Sequence, residues 1–326
     1  MSDHRRIAER AIHWRGGRMA LATVLSTWGS APRPRGSHLL VHESGAFEGS
    51  ISGGCVEADV LGTAGKVLND RQARIREYGV ADSNAWEVGL PCGGQIRVLI
   101  QPVGDDGFPV DLFRRIVEAS VRGEHFYVST DQATGRSWLG QSEGAFVNHY
   151  FPPRQMLIVG AVQIAQPLVV LCNQVNTTPV LIDPRGRFLT KERFPDGRLD
   201  PRWPDKAIPS YNPGPTTAIV TLSHKMEIDD AALCAALQSS AGYIAALGSR
   251  KNHAARRERL LARGLSEESV SRIDGPAGLA IGAIGPGEIA VSIVAAMVKA
   301  FAVLVQTDSL VGSNYAPTSQ PEGSPA

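Results

Sequence analysis

The chain has 326 residues, 43% hydrophobic and 20% charged, with 33 basic side chains against 32 acidic and a formal net charge of +1. That length and apolar content suit two domains with real cores, while the charge balance argues against a broad basic face for nucleic acid or an anionic membrane. Four cysteines in such a chain make no disulfide framework, and the cytoplasm is the expected compartment.

Residues 1–18 are Arg-rich, lack the apolar core of a secretory signal and are expected to open with a helix. Strand-like runs over 20–26, 37–42 and 95–101 then alternate with glycine-rich turns. In the first turn, Arg33 and Arg35 stand between Gly29 and Gly36. The guanidinium groups suit a phosphate or another planar anion, although a solvated loop uses the same residues. In the second, Ser50-Ile51-Ser52-Gly53-Gly54-Cys55-Val56-Glu57, a thiol follows two glycines. Val56, Val60, Ala64, Val67 and Leu68 recur at helical spacing, so Cys55 is expected to open a helix. A helix N-terminus lowers a thiol pKa, whereas Glu57 and Asp59 in the same turn oppose that shift. The third turn, Gly89-Leu90-Pro91-Cys92-Gly93-Gly94-Gln95, is nearly its mirror image. Two such loops bracketing one small domain suit a soft metal or a sulfur atom held by Cys55 and Cys92. Two tight turns with small apolar cysteines are the alternative. Neither cysteine has the paired spacing or the neighbouring histidine of a structural zinc site.

Residues 110–121 read as a helix, followed by a weak strand and a turn over 131–137, and Phe151-Pro152-Pro153-Arg154 as a linker, so that 104–153 reads as a connecting segment. From 155 the pattern is βαβ, with strands at 156–159 and 179–182 around a helix at 164–174. Strands at 217–222 and 243–246 follow, each leading into a helix, which predicts a doubly wound parallel sheet. The first turn of that sheet starts at Gly160, but Val162 stands where a dinucleotide fingerprint needs glycine to admit a pyrophosphate. Asp183 sits where a ribose-binding acid belongs, or simply turns the chain before Pro184. His224, and Ser249 with Arg250, end later strands, where open α/β sheets bind ligands. A loop histidine and a plain N-cap account for them equally. Cys172 and Cys234 fall in apolar helical patterns as small hydrophobes. The apolar run 289–305, introduced by Pro286 and Glu288 and interrupted by Ser292 and Lys299, reads as a buried helix rather than a membrane span. Residues 308–326 are Ser/Pro/Gly-rich and read as a disordered tail.

Gly29-Ser30, Pro32-Arg33, Gly36, Ser52 through Glu57 and Cys92-Gly93-Gly94 together resemble the N-terminal signature of the xanthine dehydrogenase accessory family, XdhC/CoxI. Asp183-Pro184-Arg185, Arg193-Phe194-Pro195, Leu222-Ser223-His224, Ala246 through Arg250 and Gly278 through Gly282 with Glu288-Ile289-Ala290 resemble its Rossmann-like half. The expected organisation is a small α/β domain over 1–103, the connecting segment over 104–153, a Rossmann-like domain over 154–306 and the tail over 307–326. The resemblance implies a protein that binds the molybdenum cofactor, a pterin dithiolene with a phosphate and in some cases a nucleotide. It also implies protection of the sulfurated form, delivery to an apo molybdenum hydroxylase of the xanthine dehydrogenase or aldehyde oxidoreductase class, and a cysteine desulfurase as a further partner. In that role the first half would contribute Arg33, Gly53, Gly54, Glu57, Gly93 and Gly94, with Cys55 and Cys92 touching molybdenum or sulfur. The second half would contribute Gly160, Asp183, His224, Ser249 and Arg250. Two departures are Gln163, where relatives carry histidine, and Ala280, where they carry aspartate. The competing functions are an NAD(P)-dependent oxidoreductase built on the second half and a thiol enzyme moving sulfur through Cys55 or Cys92. A homodimer is the default assembly.

Overall fold

The computed structural model describes residues 3–29, 33–54, 56–79 and 94–311, the side chains of 3 and 303–311 excepted. Cys55, Cys92 and Gly93 therefore lie outside the described residues. The first half runs through α1 (Asp3–His13), β1 (Met19–Trp28), β2 (His38–His42), β3 (Phe47–Gly49), α2 (Glu57–Asp70), β4 (Arg74–Tyr78) and β5 (Gln95–Pro102). Its strands form one antiparallel sheet in the order β3-β2-β1-β5-β4. Successive side chains of β1 point to opposite faces, and both faces are covered. Ala20, Ala22 and Val24 pack with Val60, Ala64 and Val67 of α2, while Met19 and Leu21 pack with Ile7, Ala8 and Ala11 of α1.

Residues 104–153 are more than the connection expected for them. They contain α3 (Val110–Arg122) and an antiparallel sheet of β6 (Phe126–Thr130), β7 (Ser137–Leu139) and β8 (Phe146–Tyr150), ordered β7-β6-β8. Phe113, Ile116, Phe126, Val128 and Tyr150 share a core with Ile7 and Leu21, so this segment closes the outer face of the first sheet.

The second half contains β9 (Gln155–Val159), α4 (Ala165–Gln174), β10 (Thr178–Ile182), β11 (Arg198–Asp200), α5 (Pro204–Ser210), β12 (Thr217–Thr221), α6 (Met226–Leu237), β13 (Tyr243–Ala246), α7 (Arg250–Ala262), α8 (Glu267–Ser271), β14 (Ile273–Asp274) and α9 (Pro286–Val311). Its six strands are all parallel, ordered β11-β10-β9-β12-β13-β14, as the alternating pattern predicts. Met156 and Ile158 of β9 pack towards Leu168 and Ile293 of α4 and α9. Leu157 and Val159 pack towards Ile208 and Leu233 of α5 and α6. Burial on both faces is why these strands are apolar throughout. The last helix starts at Pro286 as expected and continues to Val311, past the expected boundary at 306. No helix among the described residues is long and apolar enough to cross a membrane.

Candidate functional site

The described residues of the three glycine-rich segments of the first half lie at one end of its sheet. Trp28 pairs with Gln95, which sets Gly29 beside Gly94. Leu39 pairs with Gly49, and Ser50 N donates to His38 O at 3.0 Å, so the Ser50–Gly54 loop leaves from the same end. Gly36 N donates to Val24 O at 2.8 Å and ties the arginine-bearing turn to β1 there. The described neighbours of Cys55 and Cys92 are thereby gathered at one sheet end.

Glu57 organises the loop that precedes it. Its Oε1 accepts from Ser50 Oγ at 2.8 Å and from the backbone N–H groups of Ile51, Ser52 and Gly53 at 3.3, 2.9 and 3.1 Å. Its Oε2 accepts from Gly54 N at 2.8 Å and from Ser52 Oγ. Ser52 Oγ in turn accepts from Val56 N at 3.0 Å, leading into α2. Burial opposes ionisation of Glu57, but the hydrogen bonds from Ser52, Ser50 and Gly54 outweigh it and hold the pKa at about 2. Glu57 and the N–H groups of Gly53 and Gly54 are thus engaged with one another. They satisfy each other and fix the backbone on the approach to Cys55.

A cleft of about 310 Å³ opens between the two halves, and Ser50 lines it. His4, Arg33 and His38 enter from the first half; Arg154, Asn176, Thr216 and Phe301 enter from the second. No acidic side chain lines it among the described residues. His38 is a fixed wall: it hydrogen-bonds Thr23 Oγ1 at 2.9 Å through Nδ1 and the Tyr150 hydroxyl at 2.7 Å through Nε2. Burial, with help from His4, pushes its pKa well below the ordinary value, so it is neutral. Arg154 lies 5.4 Å from the Phe301 ring. Its guanidinium makes no hydrogen bond or ion pair with the described residues, and burial depresses its pKa. Arg35 does not share this role, because its guanidinium donates to Val147 O at 2.8 Å and stacks 4.3 Å from Phe146.

The second-half candidates lie elsewhere. Gly160, Asp183, His224, Ser249 and Arg250 follow the carboxyl ends of their strands, whereas Arg154 and Thr216 precede β9 and β12. Six residue-to-residue steps of extended chain separate Arg154 from Gly160, about 20 Å at ~3.3 Å per step. One chain therefore does not bring the expected set together around one small ligand. Gly160 has φ +108°, and a Cβ there would stand 2.6 Å from Ser223 N, so it serves the packing of two strand ends. Asp183 is fully buried and accepts from Ala161 N at 2.8 Å and from Arg185 N, Nε and Nη2 at 2.8–2.9 Å. Arg193 Nη1 donates to Ala161 O at 2.8 Å. The turn that would cradle a dinucleotide is filled by its own side chains, Asp183 among them. His224 is exposed with φ +58°, and Ser249 is an N-cap whose hydroxyl accepts from Asn252 N at 3.2 Å. Cys172 is a buried core residue, its thiol pushed up to about 12 by burial, and Cys234 is half-buried. Among the described residues no group of histidine, cysteine and acidic side chains is placed to hold a metal.

Residues 156–297 match the model of the XdhC Rossmann domain, and residues 13–79 match that of the XdhC and CoxI family. The chain is 25% identical over 316 residues to a probable xanthine dehydrogenase subunit of Bacillus subtilis, covering 86% of this chain and 92% of that one. It is 26% identical over 288 residues to the molybdenum cofactor insertion chaperone PaoD of Escherichia coli, covering 85% and 82% respectively. The crystal structure of a Bacillus halodurans protein described as a xanthine dehydrogenase superposes with a TM-score of 0.71 at 25% identity, covering 93% of this chain and 96% of that chain.

Proposed function

The chain belongs to the XdhC and CoxI family, and from that footing we propose that it binds the molybdenum cofactor as cargo and passes it to an apo molybdenum hydroxylase. The observation that carries this reading is the cleft with Arg33 and Arg154, which has no acidic side chain among its described lining residues and is lined by Ser50 of the loop that leads into Cys55. Arginine suits the phosphate of a pterin dithiolene, and the apolar rings beside it suit the pterin. Cysteine is the soft side chain suited to molybdenum or to a transferable sulfur. On this reading the sulfurated form is the one held, and a cysteine desulfurase supplies the sulfur. An NAD(P)-dependent oxidoreductase has less support, because Asp183 and Arg193 fill the turn that such a cofactor needs.

The test is to purify the full chain from cells that synthesise the cofactor and to assay bound pterin and molybdenum. Wild-type protein is expected to carry both and Cys55→Ala to lose most of the molybdenum. Wild-type protein without pterin, despite adequate supply, ends the proposal.

A further inference from the structure

The start of α7 concentrates positive charge. Arg250 and Lys251 occupy its first turn, which holds no acid, and both are exposed without an ion pair among the described residues. The positive end of a helix dipole disfavours cations there. The first N–H groups of a helix also lack an intrahelical acceptor. Ser249 Oγ accepts that of Asn252 at 3.2 Å, which leaves those of Arg250 and Lys251 without a partner among the described residues.

A third cation lies beneath the same turn. Arg256 is only 5% exposed. Its Nη2 donates to Leu247 O at 2.8 Å and would stand 3.7 Å from a Cβ on Gly248, so the guanidinium is held against the 247–248 backbone. Gly248, at φ +143°, puts no Cβ between that guanidinium and the turn. Arg256 Nε and Nη1 are buried with no hydrogen-bond partner among the described residues. The acids that act on Arg256 are engaged elsewhere: Asp229 accepts from Ser223 N and Oγ, and Asp230 is ion-paired to Arg259 and Arg263. A buried guanidinium with two orphaned donors destabilises the fold unless an anion accompanies it. Its position under a helix start that already carries two uncompensated cations is therefore not explained by holding the fold together. This cluster follows the carboxyl end of β13, whereas the cleft residues Arg154 and Thr216 precede β9 and β12, at the opposite end of the parallel sheet.

We propose that the start of α7 binds a tetrahedral oxyanion of the phosphate or sulfate class, held by the N–H groups and side chains of Arg250 and Lys251, with Arg256 supplying charge from beneath. Three cations and two N–H groups around one turn suit a dianion with three free oxygens better than a planar monocarboxylate. This is a second site, and it does not rest on the cofactor reading, whose seat is the cleft.

The experiment is isothermal titration of the full chain with inorganic phosphate, sulfate, glycerol phosphate and acetate, joined to hydrogen exchange of the segment containing Arg250 and Lys251. Phosphate and sulfate are expected to bind saturably and to slow exchange in that segment, with acetate at least about tenfold weaker. The double variant Arg250→Gln, Lys251→Gln changes only exposed side chains. It should weaken phosphate binding about tenfold or more with unchanged circular dichroism and Tm. Arg256→Gln should weaken it as well, and Arg256→Lys should retain part of the affinity. Arg154→Gln should leave the protection around Arg250 intact, which separates this site from any anion held in the cleft. Glycerol phosphate binding as well as phosphate supports the site with an esterified source; its exclusion supports the site with a free anion. Absent saturable phosphate binding, absent protection of the segment, acetate as tight as phosphate, or protection lost in Arg154→Gln overturns the inference. So does unaltered binding in the double variant or in a folded Arg256→Gln. Should Arg256→Gln fail to fold, the double variant decides alone.

Discussion

Glu57 stands in the first turn of α2, where an acid is ordinarily explained by the helix dipole. Its six hydrogen bonds from residues 50–54 make it the centre of a folded-back loop instead. With its carboxyl held at about 2 in the fold against the ordinary 4.5, its contribution to stability is fully present above pH 4.5 and is lost as pH falls towards 2. Glu57→Gln presents an amide N–H₂ to donors that need an acceptor, and is expected to cost about 1–3 kcal/mol at pH 7. Urea unfolding at pH 7, 4.5 and 3 checks this, and the gap from wild type should narrow steadily below pH 4.5. A constant gap would mean that ionisation of Glu57 is not what holds the loop. Gly160 supplies a second prediction at this scale. The Cβ of Gly160→Ala would meet Ser223 N at 2.6 Å while φ stays at +108°. A loss of at least about 2 kcal/mol is expected from backbone strain and displacement, measured by the same unfolding assay. A neutral substitution would show that the ends of β9 and β12 move apart freely.

At the scale of elements, the first βα turn of the parallel sheet distinguishes a missing glycine from a filled site. Were Val162 the sole obstruction, Val162→Gly would restore NAD(P)H binding. Asp183 and Arg193 already occupy Ala161 N and O, so that variant is expected to show no saturable NAD(P)H binding by fluorescence titration. Tight saturable binding would contradict this account of the turn. Val162 was legible as a departure because the fingerprint is local. The filling of the turn was not, because Arg193 arrives from 32 residues away. The same division applies to the fold. The β9, β10 and β12 strands read clearly as continuous apolar runs buried on both faces. β4, Arg74–Tyr78, carries Arg74, Arg76 and Glu77 and pairs only with β5, so its charged edge-strand composition hides it from hydropathy. The strands of 126–150 are short and half polar, and they become a core element only because Phe126, Val128 and Tyr150 meet α1 and α3. Glycine and cysteine identities marked the candidate loops. The cleft left no local trace, since His4, Arg154 and Phe301 converge only in the folded chain.

At the scale of the whole molecule, the buried hydrophobic clusters fall into two sets. Three lie wholly within residues 7–150 and two within residues 156–301, and none among the described residues spans both halves. What joins the halves around the cleft is sparser and more polar, such as Thr216 Oγ1 donating to Pro152 O at 3.3 Å. Cooperative unfolding follows shared cores, so each half should melt as its own unit. The tryptophans make this measurable: Trp14, Trp28, Trp86 and Trp138 belong to the first half and Trp203 alone to the second. Fluorescence should therefore track mainly the first half, while far-ultraviolet circular dichroism tracks both. Leu21→Ala and Met156→Ala, each removing a fully buried side chain from one set, should lower stability by about 2–5 kcal/mol. The first should shift the fluorescence transition and the second only the dichroism phase that fluorescence does not follow. Coincident transitions that move together in both variants would instead mean that the polar contacts around the cleft couple the halves as strongly as a shared core. In that case a ligand seated there would reinforce an existing joint rather than create one.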